Sequence, residues 1–127
     1  MSYNQLFNEG NLLYNNEQYE EAIDKYKEAI KALGEDSNDS NLGKYLYNIG
    51  VCTLKLSNYE AALMYFKQSL KTYNESKVYF NIAFCYAIIK NYKKALLYYN
   101  KAWALDNEDD DCRKAIEIVL KKIKTVQ

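Results

Sequence analysis

Histidine and proline are absent from the 127-residue sequence, and glycine is scarce, with four residues in all. Without histidine the chain lacks the commonest general base and the commonest metal ligand of proteins. The glycines are dispersed and form no phosphate-binding loop, and no Gly-x-Ser-x-Gly nucleophile motif occurs. The sequence therefore predicts that the protein is not an enzyme, and it implies no cofactor and no metal site.

Cysteine is sparse as well. Cys52, Cys85 and Cys112 are odd in number and widely spaced, which argues against a disulfide framework or a zinc cluster. Residues 1–20 contain no apolar run long enough for a signal peptide or a membrane span. We therefore expect reduced thiols in a cytoplasmic protein.

Neither sign of charge is in excess, because 17 Lys and Arg residues balance 17 Asp and Glu residues. A formal net charge of zero disfavours a dedicated binder of nucleic acid or of a membrane surface. We accordingly expect no nucleic acid and no membrane as partner. A helical-repeat protein that binds RNA through Asn, Lys and aromatic side chains is an alternative that the zero net charge disfavours.

The absence of proline suits a chain that is helical over most of its length, and the sequence contains an internal repeat. Three stretches align on Tyr19, Tyr59 and Tyr92. Each tyrosine has a small residue nine positions earlier, an alanine three positions later and an aromatic four positions after that. The small residues are Gly10, Gly50 and Ala83, the alanines are Ala22, Ala62 and Ala95, and the aromatics are Tyr26, Phe66 and Tyr99.

This spacing predicts a helical hairpin in each stretch. Two antiparallel helices pack closely only where small side chains occupy the crossing points, and Gly10 with Ala22 would provide such a point in the first stretch. The apolar residues on both sides of each polar turn recur at the i, i+3, i+4 spacing of an amphipathic helix. Three consecutive hairpins are therefore expected.

These residues resemble the tetratricopeptide repeat (TPR), a 34-residue helix–turn–helix motif, over residues 3–107. The resemblance implies an all-α fold, a right-handed α-α superhelix (solenoid) of three hairpins plus a seventh, capping helix. The expected parts of this single domain are repeat 1 at 3–36, a linker at 37–42, repeat 2 at 43–75, repeat 3 at 76–109 and the capping helix at 110–125. Gly34, Asn74 and Asn107 stand where the family usually has proline, and the polar link after repeat 1 is longer than usual.

The acidic run at 108–111 precedes the expected capping helix. Carboxylates stabilise a helix N-terminus, so we interpret this run as the start of that helix rather than as a metal site. Cys112, in the same helix, is expected to be exposed, whereas Cys52 and Cys85 are expected to face the packed side of their helices.

The resemblance also implies a concave groove lined by six positions in the first helix of each hairpin. Repeat 1 contributes Asn4, Phe7, Asn8, Asn11, Tyr14 and Asn15. Repeat 2 contributes Lys44, Tyr47, Asn48, Val51, Leu54 and Lys55. Repeat 3 contributes Lys77, Phe80, Asn81, Phe84, Ala87 and Ile88.

Three features of these positions predict a peptide-binding groove. Asn8, Asn48 and Asn81 form a ladder of amides that can pair with a peptide backbone. The aromatics Phe7, Tyr47, Phe80 and Phe84 lie off the predicted core stripe and offer anchors. The lysines Lys44, Lys55 and Lys77 would attract an acidic segment. Each feature has an alternative explanation that does not involve binding. The asparagines would reflect an Asn-rich composition, the aromatics would be partly buried under a neighbouring helix, and the lysines would merely be solvated. The predicted peptide-binding residues are Phe7, Asn8, Asn11, Lys44, Tyr47, Asn48, Lys55, Lys77, Phe80, Asn81 and Phe84.

We therefore predict a protein–protein interaction scaffold that binds an extended or acidic peptide segment in its concave groove. One alternative is co-chaperone-like recognition of an acidic C-terminal tail by a degenerate carboxylate clamp. Asn11, Asn48 and Lys77 match that five-residue clamp, whereas Phe7 and Asn81 replace its expected Lys and Arg.

A second alternative is a self-assembling scaffold. Tyr3, Leu6 and Leu13 of the first helix are expected to be exposed and could pair with another copy. The expected state is accordingly a monomer or a weak homodimer.

Overall fold

The computed structural model describes residues 1–125, and within that range it contains seven α-helices and no strand. The helices are α1 (Tyr3–Asn15), α2 (Tyr19–Leu33), α3 (Ser40–Lys55), α4 (Tyr59–Ser69), α5 (Ser76–Ile88), α6 (Tyr92–Leu105) and α7 (Asp110–Thr125). The predicted all-α fold of three hairpins and a seventh helix is confirmed. None of these helices combines the length and the apolar composition that a membrane span requires.

Side chains cap most helix N-termini by accepting hydrogen bonds from the first backbone N–H groups. Ser2 and Gln5 form a reciprocal capping box before α1. Asn58 and Asn91 accept from backbone N–H groups at the starts of α4 and α6. The carboxylate of Asp109 accepts from the backbone N–H groups of Asp111 and Cys112, so the acidic run does begin α7, as predicted.

The turn inside each hairpin has one conformation that occurs three times. Glu17, Ser57 and Lys90 adopt positive φ angles of 60°, 63° and 65°. In each turn, the next residue donates its N–H to a carbonyl five positions earlier, as Gln18 does to Leu13 at 2.9 Å. This is the Schellman ending of a helix, in which glycine usually occupies the left-handed position. The three hairpins therefore share a backbone conformation in their turns, although the residues at the left-handed position differ.

Glycines allow the helices to approach each other. A Cβ atom on Gly10 would lie 2.6 Å from the ring of Tyr26, and one on Gly50 would lie 2.5 Å from the ring of Phe66. Gly10 and Gly50 thus lie at close approaches of paired helices, where they face the rings of Tyr26 and Phe66. Gly43 is more tightly enclosed, since its Cβ would lie 2.5 Å from the backbone carbonyl oxygen of Ser69.

The chain divides into two compact units, one of residues 1–74 and one from residue 75 onward. In the first unit α1 packs on α2, α2 on α3 and α3 on α4. Its core comprises Leu6, Phe7, Ala22, Tyr26, Ala29, Ile30, Leu42, Tyr45, Ile49 and Cys52. In the second unit α5 packs on α6 and α6 on α7, around residues such as Ile82, Tyr99 and Val119.

Two expectations differ from the structure. Helix α3 begins at Ser40, so the second half of the predicted linker at 37–42 is helical, and the loop occupies residues 34–39. Leu6 is buried, and Tyr3 and Leu13 are half-buried against the core. The expectation that they form an exposed face was therefore wrong, because α2 and α3 contribute side chains that cover this side of α1.

Candidate functional site

A cavity of about 260 Å³ is lined by residues from the first three helices of the first unit. The lining residues are Asn11, Tyr14, Tyr26, Tyr47, Asn48 and Val51. Five of the six are groove positions that the TPR resemblance implied, and Tyr26 of α2 is the addition. We call this cavity the amide pocket.

The two asparagines and Tyr26 form a hydrogen-bonded group at the floor of the amide pocket. The Tyr26 hydroxyl donates to Oδ1 of Asn11 at 2.6 Å, and Nδ2 of Asn48 donates to the same oxygen at 3.4 Å. The Asn48 side chain also hydrogen-bonds the Tyr26 hydroxyl. Since hydrogen bonds link residues of α1, α2 and α3, the floor is fixed by the packing of three helices.

The Tyr26 hydroxyl remains protonated over the physiological range. Its ring is only 1% exposed, and burial, with a smaller contribution from Cys52, raises the pKa of Tyr26 to about 12. The hydrogen bond from Asn48 acts in the opposite direction and lowers this pKa. The hydroxyl is therefore a permanent donor to Asn11.

Aromatic neighbours hold the walls of the amide pocket. The ring of Tyr14 packs edge-on against Tyr19, with the centroids 5.6 Å apart. The ring of Tyr47 lies 5.6 Å from that of Phe66 and 6.0 Å from that of Tyr73. Because Tyr14 and Tyr47 are half-buried and packed in this way, the pocket is largely formed before any ligand arrives.

Phe7 does not belong to this pocket. It is 9% exposed and stacks on Tyr45 of α3 with a centroid distance of 4.7 Å. The expectation that Phe7 lies off the core stripe was wrong, because Tyr45 and Tyr26 enclose its ring. The ammonium group of Lys44 lies over the same ring at 5.1 Å, which is the distance of a cation–π contact.

The other predicted residues of the first unit are more exposed. Asn8 and Lys55 are exposed, as is Lys44 beside Phe7. The amide pocket includes Asn48 of the predicted ladder, and Asn11 rather than Asn8 stands opposite it.

The predicted residues of repeat 3 lie in the second unit. Phe80 is half-buried against Tyr99, with the ring centroids 5.3 Å apart. Asn81 is half-buried and Lys77 is exposed. Phe84 is 38% exposed, so it is an aromatic side chain that the second unit presents to solvent.

The cysteines are buried and chemically protected. Burial raises the pKa of Cys52 and of Cys85 to about 11, in keeping with the predicted packed positions. Cys112 was expected to be exposed, but it is 1% exposed and its thiol donates to the Tyr99 carbonyl at 3.4 Å. Among residues 1–125 no group of cysteine and acidic side chains gathers in a way that could hold a metal ion.

A second cavity, of about 610 Å³, lies on the longer link after the first hairpin. It is lined by Ile30, Glu35, Asp36, Ser37, Asn38, Leu42, Leu46, Gln68, Lys71 and Thr72. The sequence indicated the extra loop, but nothing in its spacing predicted that the loop would line a cavity.

Comparison with known proteins agrees with this architecture. A family model described as tetratricopeptide repeat matches residues 2–75, and a second of the same description matches residues 76–109. A search of curated proteins gave no match.

Several solved structures are similar. The TPR domain of Arabidopsis OM64 has a TM-score of 0.83 and 20% identity, covering 94% of this chain and 95% of that one. The first TPR of Spaghetti (RPAP3), bound to the HSP90 peptide SRMEEVD, has a TM-score of 0.85 and 16% identity, covering 97% and 94%. The C-terminal TPR-containing domain of a Plasmodium falciparum FK506-binding protein has a TM-score of 0.84 and 24% identity, covering 98% and 90%. At these identities the likeness concerns the fold.

Proposed function

Because the chain belongs to the tetratricopeptide repeat family, we propose that it is a protein–protein interaction scaffold that binds an extended segment of another protein at the amide pocket. The amides of the pocket can hydrogen-bond the main chain of such a segment, and the aromatic walls offer apolar contact to its side chains. The predicted residues of repeat 3 remain proposed contacts of the second unit.

The observation that carries this proposal is the pairing of Asn11 and Asn48 on the floor of a preformed pocket. An amide both donates and accepts, so it can satisfy the N–H and C=O groups of a peptide whatever its sequence. Each such hydrogen bond contributes about 0.5–1.5 kcal/mol net. Two amides would thus supply about 1–3 kcal/mol, and the half-buried tyrosine walls would add apolar contact.

A second candidate ligand is an acidic tail. Lys44 and Lys55 are exposed, and the Lys44 ammonium is held over Phe7, next to helix α1 of the pocket. The RPAP3 domain was solved with an acidic HSP90 peptide, which supports this class of partner. Phe7 and Asn81 stand where the carboxylate clamp has Lys and Arg. Their lack of charge weakens the case for an acidic tail, because a double carboxylate is best held by several charged donors.

Selection from a displayed library of random peptides would test the proposal. Peptides recovered on the unaltered chain are measured by fluorescence anisotropy against Asn11→Ala and Asn48→Ala. The matched control is Asn100→Ala, an exposed asparagine of α6. We expect a loss of about two- to tenfold for each pocket variant and none for the control. Full binding by both pocket variants would place the site elsewhere.

The labelled peptide SRMEEVD and its scrambled form would test the acidic tail separately. A preference for the ordered sequence that Lys44→Ala removes would favour this candidate. Equal binding of the two peptides would leave only non-specific attraction, which screening by salt would abolish.

A further inference from the structure

Equivalent positions of the first and third hairpins carry charges of opposite sign. The alignment on Tyr19 and Tyr92 matches four exposed acidic residues of the first hairpin with four exposed lysines of the third. The acidic residues, which we call the acidic face, are Glu17, Glu20, Glu21 and Glu28. The lysines at the same positions and in the same order, which we call the basic face, are Lys90, Lys93, Lys94 and Lys101.

The charges of the two compact units are divided in the same way. Residues 1–74 contain seven lysines and ten acidic residues, whereas residues 75–127 contain ten basic and seven acidic residues. The formal net charge of zero therefore consists of −3 on the first part of the chain and +3 on the second. Charge of both signs, separated in this way, favours attraction between one copy and another.

The hairpin itself does not require these charges. The second hairpin forms the same turn and a helix of the same kind, although a single one of its four corresponding residues is charged. These residues are Ser57, Glu60, Ala61 and Gln68. The opposite charges of the outer hairpins are therefore not a condition of the packing.

Local helix stability explains the acidic face but not the basic face. Glu20 and Glu21 lie in the first turn of α2, where carboxylates interact favourably with the helix dipole. Lys93 and Lys94 occupy the corresponding turn of α6, which contains no acidic residue, and a cation there interacts unfavourably with the dipole. Since these lysines oppose the preference of their own helix, they point to a role outside it.

Both faces are accessible to a partner. Within residues 1–125, Glu28 is the one member of the two faces that forms a salt bridge, with Lys25 at 3.3 Å. The ammonium groups of Lys94 and Lys101 lie over tyrosine rings at 5.5 and 5.1 Å. These contacts hold the two lysines in place without cancelling their charge. The lining of the amide pocket includes none of the eight residues.

We propose that the acidic face of one copy of this chain docks on the basic face of another copy, so that the chain self-associates through α2 and α6. The proposal is independent of the proposed function, because it concerns a different surface. A second copy is the partner that fits best, since it carries the complement of each face on the same helical framework. Ion pairs between exposed side chains are weak and are screened by salt, so the association is weak and salt-dependent.

Sedimentation velocity of the full chain over a dilution series tests the proposal. At an ionic strength of about 0.01 M the Debye length is about 30 Å, and at about 0.15 M it is about 8 Å. We expect self-association whose dissociation constant is at least about tenfold higher at the greater ionic strength. A chain that stays monomeric at low ionic strength, or an assembly that is indifferent to salt, would overturn the proposal.

Charge reversal locates the contact. The double variant Lys93→Glu, Lys94→Glu gives α6 the acidic first turn of α2, so it should be at least as stable in thermal unfolding. Its self-association should be at least about tenfold weaker than that of the unaltered chain. The matched control Lys114→Glu, Lys121→Glu changes the net charge equally at exposed positions of α7 and should associate more tightly. Equal weakening in both variants would assign the association to net charge and contradict docking at the basic face.

A complete exchange of the two faces provides the second test. In this variant every residue of the acidic face becomes Lys and every residue of the basic face becomes Glu, so the composition and the net charge are unchanged. Each face then meets its complement again, and the dissociation constant should return toward that of the unaltered chain. An exchanged chain that associates no more tightly than the Lys93→Glu, Lys94→Glu variant would refute the pairing of the two faces.

Discussion

The contact between Asn11 and Tyr26 should be measurable as a free energy of unfolding without any ligand. Asn11→Ala removes the acceptor of a hydroxyl whose residue is 1% exposed. The Tyr26 oxygen keeps its hydrogen bond from Asn48, but the O–H group loses its acceptor, and a buried donor without a partner costs about 1–3 kcal/mol. Tyr26→Phe should cost less, about 0.5–1.5 kcal/mol, because the half-buried Asn11 amide can still reach water.

The double variant should recover part of this loss. Once Tyr26 has lost its hydroxyl, Asn11→Ala no longer leaves a buried group unpaired. The two single changes should therefore sum to more than the double change, with a coupling of about 1 kcal/mol. Urea unfolding followed by circular dichroism gives the free energies of unfolding.

Asn8→Ala is the matched control. It makes the same substitution one turn earlier in α1, at an exposed position, so it reports the gain in helix propensity alone. Asn11→Ala should be less stable than Asn8→Ala by about 1–3 kcal/mol. Equal stability of the two variants, or additive single changes, would refute the reasoning about the pocket floor.

Three further predictions concern the core. Gly43→Ala should destabilise the fold by about 1–3 kcal/mol, measured by urea unfolding, because its Cβ would lie 2.5 Å from the Ser69 carbonyl oxygen; a stabilised variant would contradict this packing. Tyr45→Phe should be neutral or slightly stabilising by thermal unfolding, since its hydroxyl is buried with no hydrogen-bond partner among residues 1–125; a clear loss would reveal a partner. Stability should fall from about pH 9 to about pH 11, because burial raises the pKa of Cys52 and Cys85 from 9.0 to about 11. The unfolded thiols lose their protons first, so the folded state binds more protons than the unfolded state in that window. A double Cys→Ala variant whose stability declines equally would assign the effect to other groups.

The repeat spacing predicted the helices well because it reflects one packing solution used three times. The small residues at Gly10 and Gly50 meet aromatic rings of the following helices, whereas the prediction from the sequence paired Gly10 with Ala22. The left-handed residue that each turn contains was not predicted, since Glu17, Ser57 and Lys90 share no side-chain chemistry. Only their backbone conformation is alike.

The candidate site was predicted in part. The motif positions brought Asn11 and Asn48 together, but the role of the Tyr26 hydroxyl was missed. Helical periodicity shows which face a ring occupies, whereas the reach of its oxygen depends on how closely two helices cross. Phe7 was misplaced for a related reason, since Tyr45 covers it through contacts between hairpins.

Cys112 was misplaced although the sequence held a signal. Cys112 and Val119 are seven positions apart, which is two turns on one face of α7, and both are buried. The acidic run that directly precedes Cys112 favoured a solvent-exposed position instead. A wheel projection of α7 would have assigned the cysteine to the packed face.

The most direct test of peptide binding at the amide pocket is site-specific photo-crosslinking. A benzophenone amino acid replaces Val51, which lines the pocket, and in a control chain it replaces the exposed Leu97 of α6. A library-selected peptide should crosslink to the Val51-substituted chain and not to the Leu97-substituted one. Crosslinking from the position of Leu97 alone would contradict binding at the pocket.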